Sequence, residues 1–199
     1  MLPHRPAVVV LRLRALLGAA LLCAVWSLPV QARQTPELAL PAQATVSSAF
    51  SPSGDALALV LQAIGQAHNS IHVAAYLLTS SEVARALVAA KKRGVDVQVL
   101  LDRKGNLDED ARYARHALGI LVNAGIAVRS IDIYPIFHDK YMVIDRRTVQ
   151  TGSFNYTYSA AHRNAENVLV VWNAPQLAAR YLDDWQRNWA LGQPVRLGY

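Results

Sequence analysis

The sequence predicts one α/β domain in which a mixed β-sheet is flanked by helices on both faces. Two patterns support that class. Apolar, β-rich runs alternate with segments of helical period, and the stretch from Ser70 to Leu101 reads strand–helix–strand at the spacing of a βαβ unit. Further on, Phe137 to Ile144 and Thr148 to Gln150 flank the polar Asp145-Arg146-Arg147, the pattern of a hairpin, so parallel and antiparallel pairs are expected in one sheet.

Size and composition agree with this class. The chain has 199 residues, 53% of them hydrophobic and 17% charged, which suits a real core and argues against wholesale disorder. No apolar run reaches the roughly 20 residues of a spanning helix, so a polytopic membrane protein is excluded. The first 32 residues read differently from the rest. Arg5, Arg12 and Arg14 stand without an acid, Ala15 to Leu28 is apolar, and Val30-Gln31-Ala32 is small at both key positions. That is the pattern of a secretory signal peptide cut after Ala32, with an uncleaved signal anchor as the alternative, and it implies a periplasmic or secreted protein. Without residues 1–32 the chain carries 17 Lys and Arg against 14 Asp and Glu, and it loses Cys23, its one cysteine. Disulfides and thiolate metal sites are thereby excluded. The mild positive balance permits nucleic acid or anionic lipid as a partner and demands neither.

The elements follow in order. Residues 33–45, with Pro36 and Pro41, read as a linker, and the domain proper spans 46–199, opening on a short strand from Val46 to Phe50. Asp55 to Ala67 is a mostly buried helix after a Ser-Pro-Ser-Gly turn. Ser70 to Leu78 is a central strand, and Thr79-x-x-Glu82 is a capping box opening a helix to Arg93. Gly94 ends that helix and Val95 to Leu101 is the next strand. Asp102 to Asn106 is a polar turn before a helix from Asp108 to Asn123, with Ala111, Ala114, Leu118, Leu121 and Val122 on one stripe. Ile126 to Ile131 is a strand, as is Asn167 to Trp172. Pro175 starts a last helix on which Leu177, Ala178, Tyr181, Trp185 and Trp189 share a face.

The chemistry concentrates between Phe137 and Glu166. On a strand, His138 and Lys140 point to the same face. An imidazole beside an ammonium loses proton affinity, and the two together attract an anion such as phosphate. Asp145 has the opposite parity and falls at the turn, where a supporting role is expected, orienting groups or tying the hairpin. Gly152 allows a tight backbone, after which Ser153 and Asn155 can cradle phosphate oxygens. Each of these residues also has a plainer reading. Ser153 could cap the following helix and Glu166 could be a surface acid opening a strand, while His72, within an apolar strand, could face the site or be a buried, hydrogen-bonded histidine. Lys91-Lys92-Arg93 is best read as a helix end favoured by the dipole.

The pattern His138-x-Lys140, four residues and Asp145, followed by Gly152-Ser153-x-Asn155, resembles the phospholipase D superfamily without departure. Within that superfamily, Ala89 to Val97, Thr151 to Asn155 and Glu166-Asn167 are similar to the small secreted bacterial endonucleases that carry a single copy of the motif. The chain has no second His-x-Lys, so the resemblance implies a two-fold homodimer whose site needs both chains. It further implies phosphodiester hydrolysis without a metal or other cofactor. One His138 would attack phosphorus to form a phosphohistidine, and the partner's His138 would protonate the leaving oxygen and then activate water. Lys140 and Asn155 would hold the nonbridging oxygens, Glu166 would orient His138, and Ser153 would either support those groups or serve as an oxyanion ligand. Asp145 is the remaining motif residue. The implied substrate is DNA or another nucleic acid, with phospholipid such as phosphatidylcholine as the alternative. The apolar Tyr134-Pro135-Ile136-Phe137 before His138 could stack on bases or contact acyl chains.

Overall fold

A computed structural model of the chain describes residues 37–108 and 112–196. The signal peptide expected over residues 1–32 lies outside them. The elements are β1 (Thr45–Phe50), α1 (Asp55–Gly65), β2 (Ser70–Ala75), α2 (Ser81–Lys92), β3 (Asp96–Asp102), α3 (Arg103–Leu107), α4 (Arg112–Asn123), β4 (Ala127–Ile131), β5 (Lys140–Ile144), β6 (Thr148–Gly152), α5 (Tyr158–His162), β7 (Asn167–Trp172), α6 (Pro175–Leu191) and β8 (Gln193–Pro194). The strands form one mixed sheet in the order β1-β7-β6-β5-β2-β3-β4-β8. β2, β3 and β4 run parallel through helical crossovers, while β5, β6, β7 and β1 are antiparallel neighbours.

Strand alternation divides the apolar side chains between two cores. Val73, Val99, Met142 and Val168 face a cluster completed by α1, α2 and α4. Ala74, Leu100, Tyr141, Val143 and Val149 face the other side, where α6 supplies Ala178, Leu182 and Trp185. Trp185 also donates its indole N–H to the Val73 carbonyl at 2.9 Å, so a large buried ring keeps its polar atom satisfied. β5 lies between β2 and β6 and is buried along its whole length, which makes the strand following the His-x-Lys motif a rigid central one.

Several boundaries differ from the sequence reading. The strand from Ser70 ends at Ala75: Tyr76 N–H still meets the carbonyl of its register partner Asp139, but the Tyr76 carbonyl turns to Asn106 Nδ2. Thr79 does not cap α2. Thr79 and Ser80 N–H both reach the Tyr156 carbonyl and keep the chain extended one residue longer, so Ser80 becomes the cap and accepts from Val83 N–H at 3.2 Å. The polar turn after β3 is instead the short helix α3, capped by the Asp102 carboxylate. The linker assigned to 33–45 gives up Thr45, which pairs with Trp172 as the first residue of β1.

Candidate active site

β5 starts at Lys140 rather than at Phe137, so His138 and Asp139 belong to the connection that leads into the strand. The pair forms nonetheless. Lys140 Nζ lies 2.8 Å from the His138 carbonyl and 3.2 Å from His138 Nδ1. An ammonium has no lone pair, so it donates both bonds, and with Nδ1 accepting, a neutral imidazole carries its proton on Nε2. His138 is exposed, whereas Lys140 is only 8% exposed. Burial pushes the Lys140 ammonium down from its ordinary value, and the charges of Asp139 and Glu166 act against that push.

His138 and Lys140 line a cavity of about 410 Å³ with Asp139, Tyr141, Gly152, Arg180 and Asp184. A second hollow of about 310 Å³ adjoins it past His138, Asp139 and Asp184, and is walled by Tyr134, Ile136 and Phe137. A larger cavity of about 560 Å³ lies at the other end of β5, around His68 and Asp145. It holds neither His138 nor Lys140, and the candidate chemistry therefore belongs to the smaller one. No group of His, Cys, Asp and Glu among the described residues is arranged to hold a metal ion.

The Gly152 to Asn155 turn closes the site's other side. Gly152 has φ +149° and a Cβ there would run into the Asn167 carbonyl, so only glycine fits. Ser153 Oγ donates to Glu166 Oε2 at 2.6 Å and accepts from Asn167 N–H at 3.0 Å and Asn167 Nδ2 at 3.2 Å. That hydroxyl ties β6 to the start of β7 and is fully engaged. It does not cap α5 either, a task that falls to Thr157. Glu166 takes bonds from Ser153 and from Asn164 at 2.9 Å, and it does not bond His138 within the chain. The orienting contact expected of it is thus replaced here by a charge interaction with Lys140. Asn155 is half-buried, and its Oδ1 is buried with no hydrogen-bond partner among the described residues.

Asp145, counted with the motif's catalytic candidates, takes the tying role that its place at the turn suggested. Its carboxylate accepts from the backbone N–H groups of His68, Asn69 and Ser70 at 2.7–3.2 Å. At about 3.3 Å per residue, the length of β5 separates it from Lys140 by roughly 16 Å. It therefore ties the hairpin to the β2 entry and stands apart from the His138–Lys140 cluster. His72 also lies outside that cluster. It packs edge-on against Trp185, with Nδ1 buried and unpartnered, and burial pushes its imidazole down.

Sequence reading missed Tyr76, Asp139 and Asp184. The Tyr76 ring lies 4.7 Å from the His138 ring, and Lys140 Nζ stands 5.1 Å from the Tyr76 ring centre. Asp139 is pushed up, first by burial and then by the nearby Asp184 charge. Asp139 was open to view inside the motif. Tyr76 and Asp184 reach the site only through the β2–β5 pairing and the docking of α6, and no local signal marks them.

The comparisons with known proteins fit this geometry. Residues 60–189 match a family model described as "Cardiolipin synthase, PLD-like domain". The chain belongs to the phospholipase D superfamily. It is 40% identical over 144 residues to a phospholipase D of Rickettsia prowazekii, covering 72% of this chain and 67% of that one. Mouse mitochondrial cardiolipin hydrolase is 29% identical over 147 residues, covering 74% and 64% respectively. Among solved structures, the phospholipase D family member Nuc from Salmonella typhimurium superposes with a TM-score of 0.75 at 43% identity, over 78% of this chain and all of that one. The chain thus spans about two thirds of the length of its curated relatives and the full length of that structure. As a member of this superfamily it is a phosphodiester hydrolase.

Proposed function

We propose that the protein is an exported, metal-independent phosphodiesterase that acts as a homodimer on DNA through a phosphohistidine intermediate. The observation that carries this reading is the single His138–Lys140 pair, in which an exposed His138 stands over a buried Lys140 beside a shallow cavity. Two-step displacement needs a neutral histidine to attack and a protonated one to assist, and one chain supplies one such residue. In the dimer, His138 Nε2 attacks phosphorus and the P–O bond to the leaving group breaks. The partner's His138 gives its proton to that oxygen, then takes one from the water that cleaves the phosphohistidine. Within one chain, Nδ1 accepts from Lys140 and Nε2 holds the single proton of a neutral imidazole, and the assisting histidine becomes the acid only by gaining a second proton on Nδ1 as Lys140 turns away. The attacking histidine requires the opposite tautomer, with Lys140 turned toward the phosphate. Lys140 then neutralises the nonbridging oxygens from a buried position where its charge is little screened.

DNA is favoured by the resemblance to single-motif endonucleases, by the shallow site and by the mildly basic chain. A backbone-tracking enzyme needs charge and access more than base contacts. The second reading is phospholipid headgroup hydrolysis. It is favoured by Ile133, Tyr134 and Ile136, which are 54%, 41% and 55% exposed on the segment leading to His138.

The deciding experiment incubates the purified protein in excess EDTA with plasmid DNA in one tube and phosphatidylcholine vesicles in another, each beside His138→Ala. EDTA-resistant nicking that needs His138 and falls steeply with salt is the expected result. Headgroup release without nicking moves the protein to the lipid reading with the same residues in the same roles. Nicking by His138→Ala at the wild-type rate overturns the mechanism.

A further inference from the structure

We infer that Tyr76, clamped from below by the buried Asn106, is a positioning residue that sets the orientation of His138 and Lys140. The inference rests on the phosphodiesterase reading of that pair.

His138 is exposed and precedes β5, so the sheet ladder does not hold its side chain. Two contacts define where the ring lies: Lys140 Nζ at Nδ1 and the tilted face of Tyr76, 4.7 Å between centroids. The same phenol ring faces Lys140 Nζ at 5.1 Å, within the range of a cation–π attraction. One aromatic side chain therefore touches both halves of the pair and limits the rotation of each.

Tyr76 is itself unusually well anchored for a residue outside a strand. Its N–H donates to the Asp139 carbonyl at 2.7 Å, between the two motif residues. Its carbonyl accepts from Asn106 Nδ2 at 2.7 Å. Asn106 is fully buried and uses its whole amide: Nδ2 also donates to the Asp102 carbonyl at 2.8 Å, and Oδ1 accepts from Leu78 N–H at 2.9 Å. The clamp reaches the motif by a second route. Asp102 Oδ2 accepts from Phe137 N–H at 2.9 Å, one residue before His138, while Oδ1 holds Gly105 N–H at 2.7 Å. Gly105 lets α3 approach this closely, since a Cβ there would stand 2.7 Å from Leu77 Cδ2 and 3.2 Å from the Tyr76 carbonyl oxygen. The segments before and after the nucleophile and the ring beside it are thus pinned to one buried polar network. A fully satisfied network of this kind rigidifies what it touches. Misplacing a reacting group by about 1 Å can cost on the order of 100-fold in rate.

The test compares wild type, Tyr76→Phe, Tyr76→Leu and Tyr76→Met in the full chain. Turnover is read on bis(p-nitrophenyl) phosphate, and the His138 ring protons are followed by NMR, assigned by their loss in His138→Ala. Tyr76→Phe keeps the ring and should retain kcat within about threefold, with the His138 resonances near their wild-type positions. Tyr76→Leu and Tyr76→Met should lower kcat by roughly 10- to 100-fold with little change in KM. Their His138 resonances should move as the ring-current shift disappears. Should Tyr76→Leu fail to fold, Tyr76→Met carries the comparison. Wild-type kcat and unmoved His138 signals in the ringless variants overturn the inference, as does a loss in Tyr76→Phe equal to that in Tyr76→Leu. If the wild type does not hydrolyse the diester, the phosphodiesterase reading fails on its own, and the NMR comparison still decides whether Tyr76 positions His138.

Discussion

Asp139 and Asp145 are both acids of the same short segment, yet their surroundings give them opposite effects on stability. Asp145 satisfies three backbone N–H groups at the β2 entry. Its replacement by alanine leaves those donors without their partner at a cost of about 1–3 kcal/mol. Asp145→Ala should therefore lower the melting temperature while the folded fraction keeps its specific activity, as paired thermal melts and active-fraction assays will show. Asp139 is half-buried near Asp184, and its carboxyl is pushed up by burial and by that charge. A raised folded-state pKa means that its contribution to stability is fully present below the ordinary carboxylate pKa. It is lost as pH rises through the folded value. Asp139→Asn should accordingly melt higher than wild type at pH 7, and the difference should vanish near pH 3. A melting temperature that does not rise at pH 7 would show that the Asp139 charge is well accommodated. At this scale the sequence was readable where chemistry is local. His138 and Lys140 could be paired from their spacing, whereas the Asp145 contacts join residues more than 70 positions apart.

The β5–β6 hairpin shows how a local rule and a tertiary need meet in one element. Arg147 N–H bonds the Ile144 carbonyl at 3.1 Å, and Asp145 and Arg146 have φ of +51° and +55°. That is a type I′ turn, whose twist matches the flanking strands. Asp suits its first central position, but an arginine in the left-handed region is strained. Arg146→Gly should stabilise the protein by about 0.5–1 kcal/mol, measured as a shift of the denaturation midpoint at constant m. An unchanged or lower midpoint would mean that the Arg146 side chain contributes more than the turn geometry costs. The hairpin itself was legible from a polar triplet between two apolar runs. The end of β2 and the start of α2 were not, because the Tyr76 carbonyl and the Thr79 and Ser80 N–H groups take partners from distant chain segments at Asn106 and Tyr156.

For the whole molecule, the question is how many chains make one site. The described residues bring one histidine and one lysine together beside a cavity, and the proposed displacement uses two histidines. Mixing wild type with His138→Ala at equal amounts and isolating the heterodimer should give an inactive species. A half-active heterodimer would argue that each chain works alone, and the phosphohistidine scheme would need a different acid.

By itself the sequence determined the fold class, the superfamily, the His138–Lys140 pair and the glycine that turns beside it. These rest on short-range periodicity and on residue types at fixed spacing, which the local backbone translates directly into geometry. Only the tertiary structure decided which neighbours that pair has. Antiparallel pairing of β2 with β5 brings Tyr76 against His138, and the docking of α6 brings Asp184 beside Asp139. Asp145, though part of the motif, is carried to the far end of a central strand. Those placements depend on strand register and helix packing, where the free energy comes from burying surfaces of elements remote in sequence, and no window of the chain contains both partners.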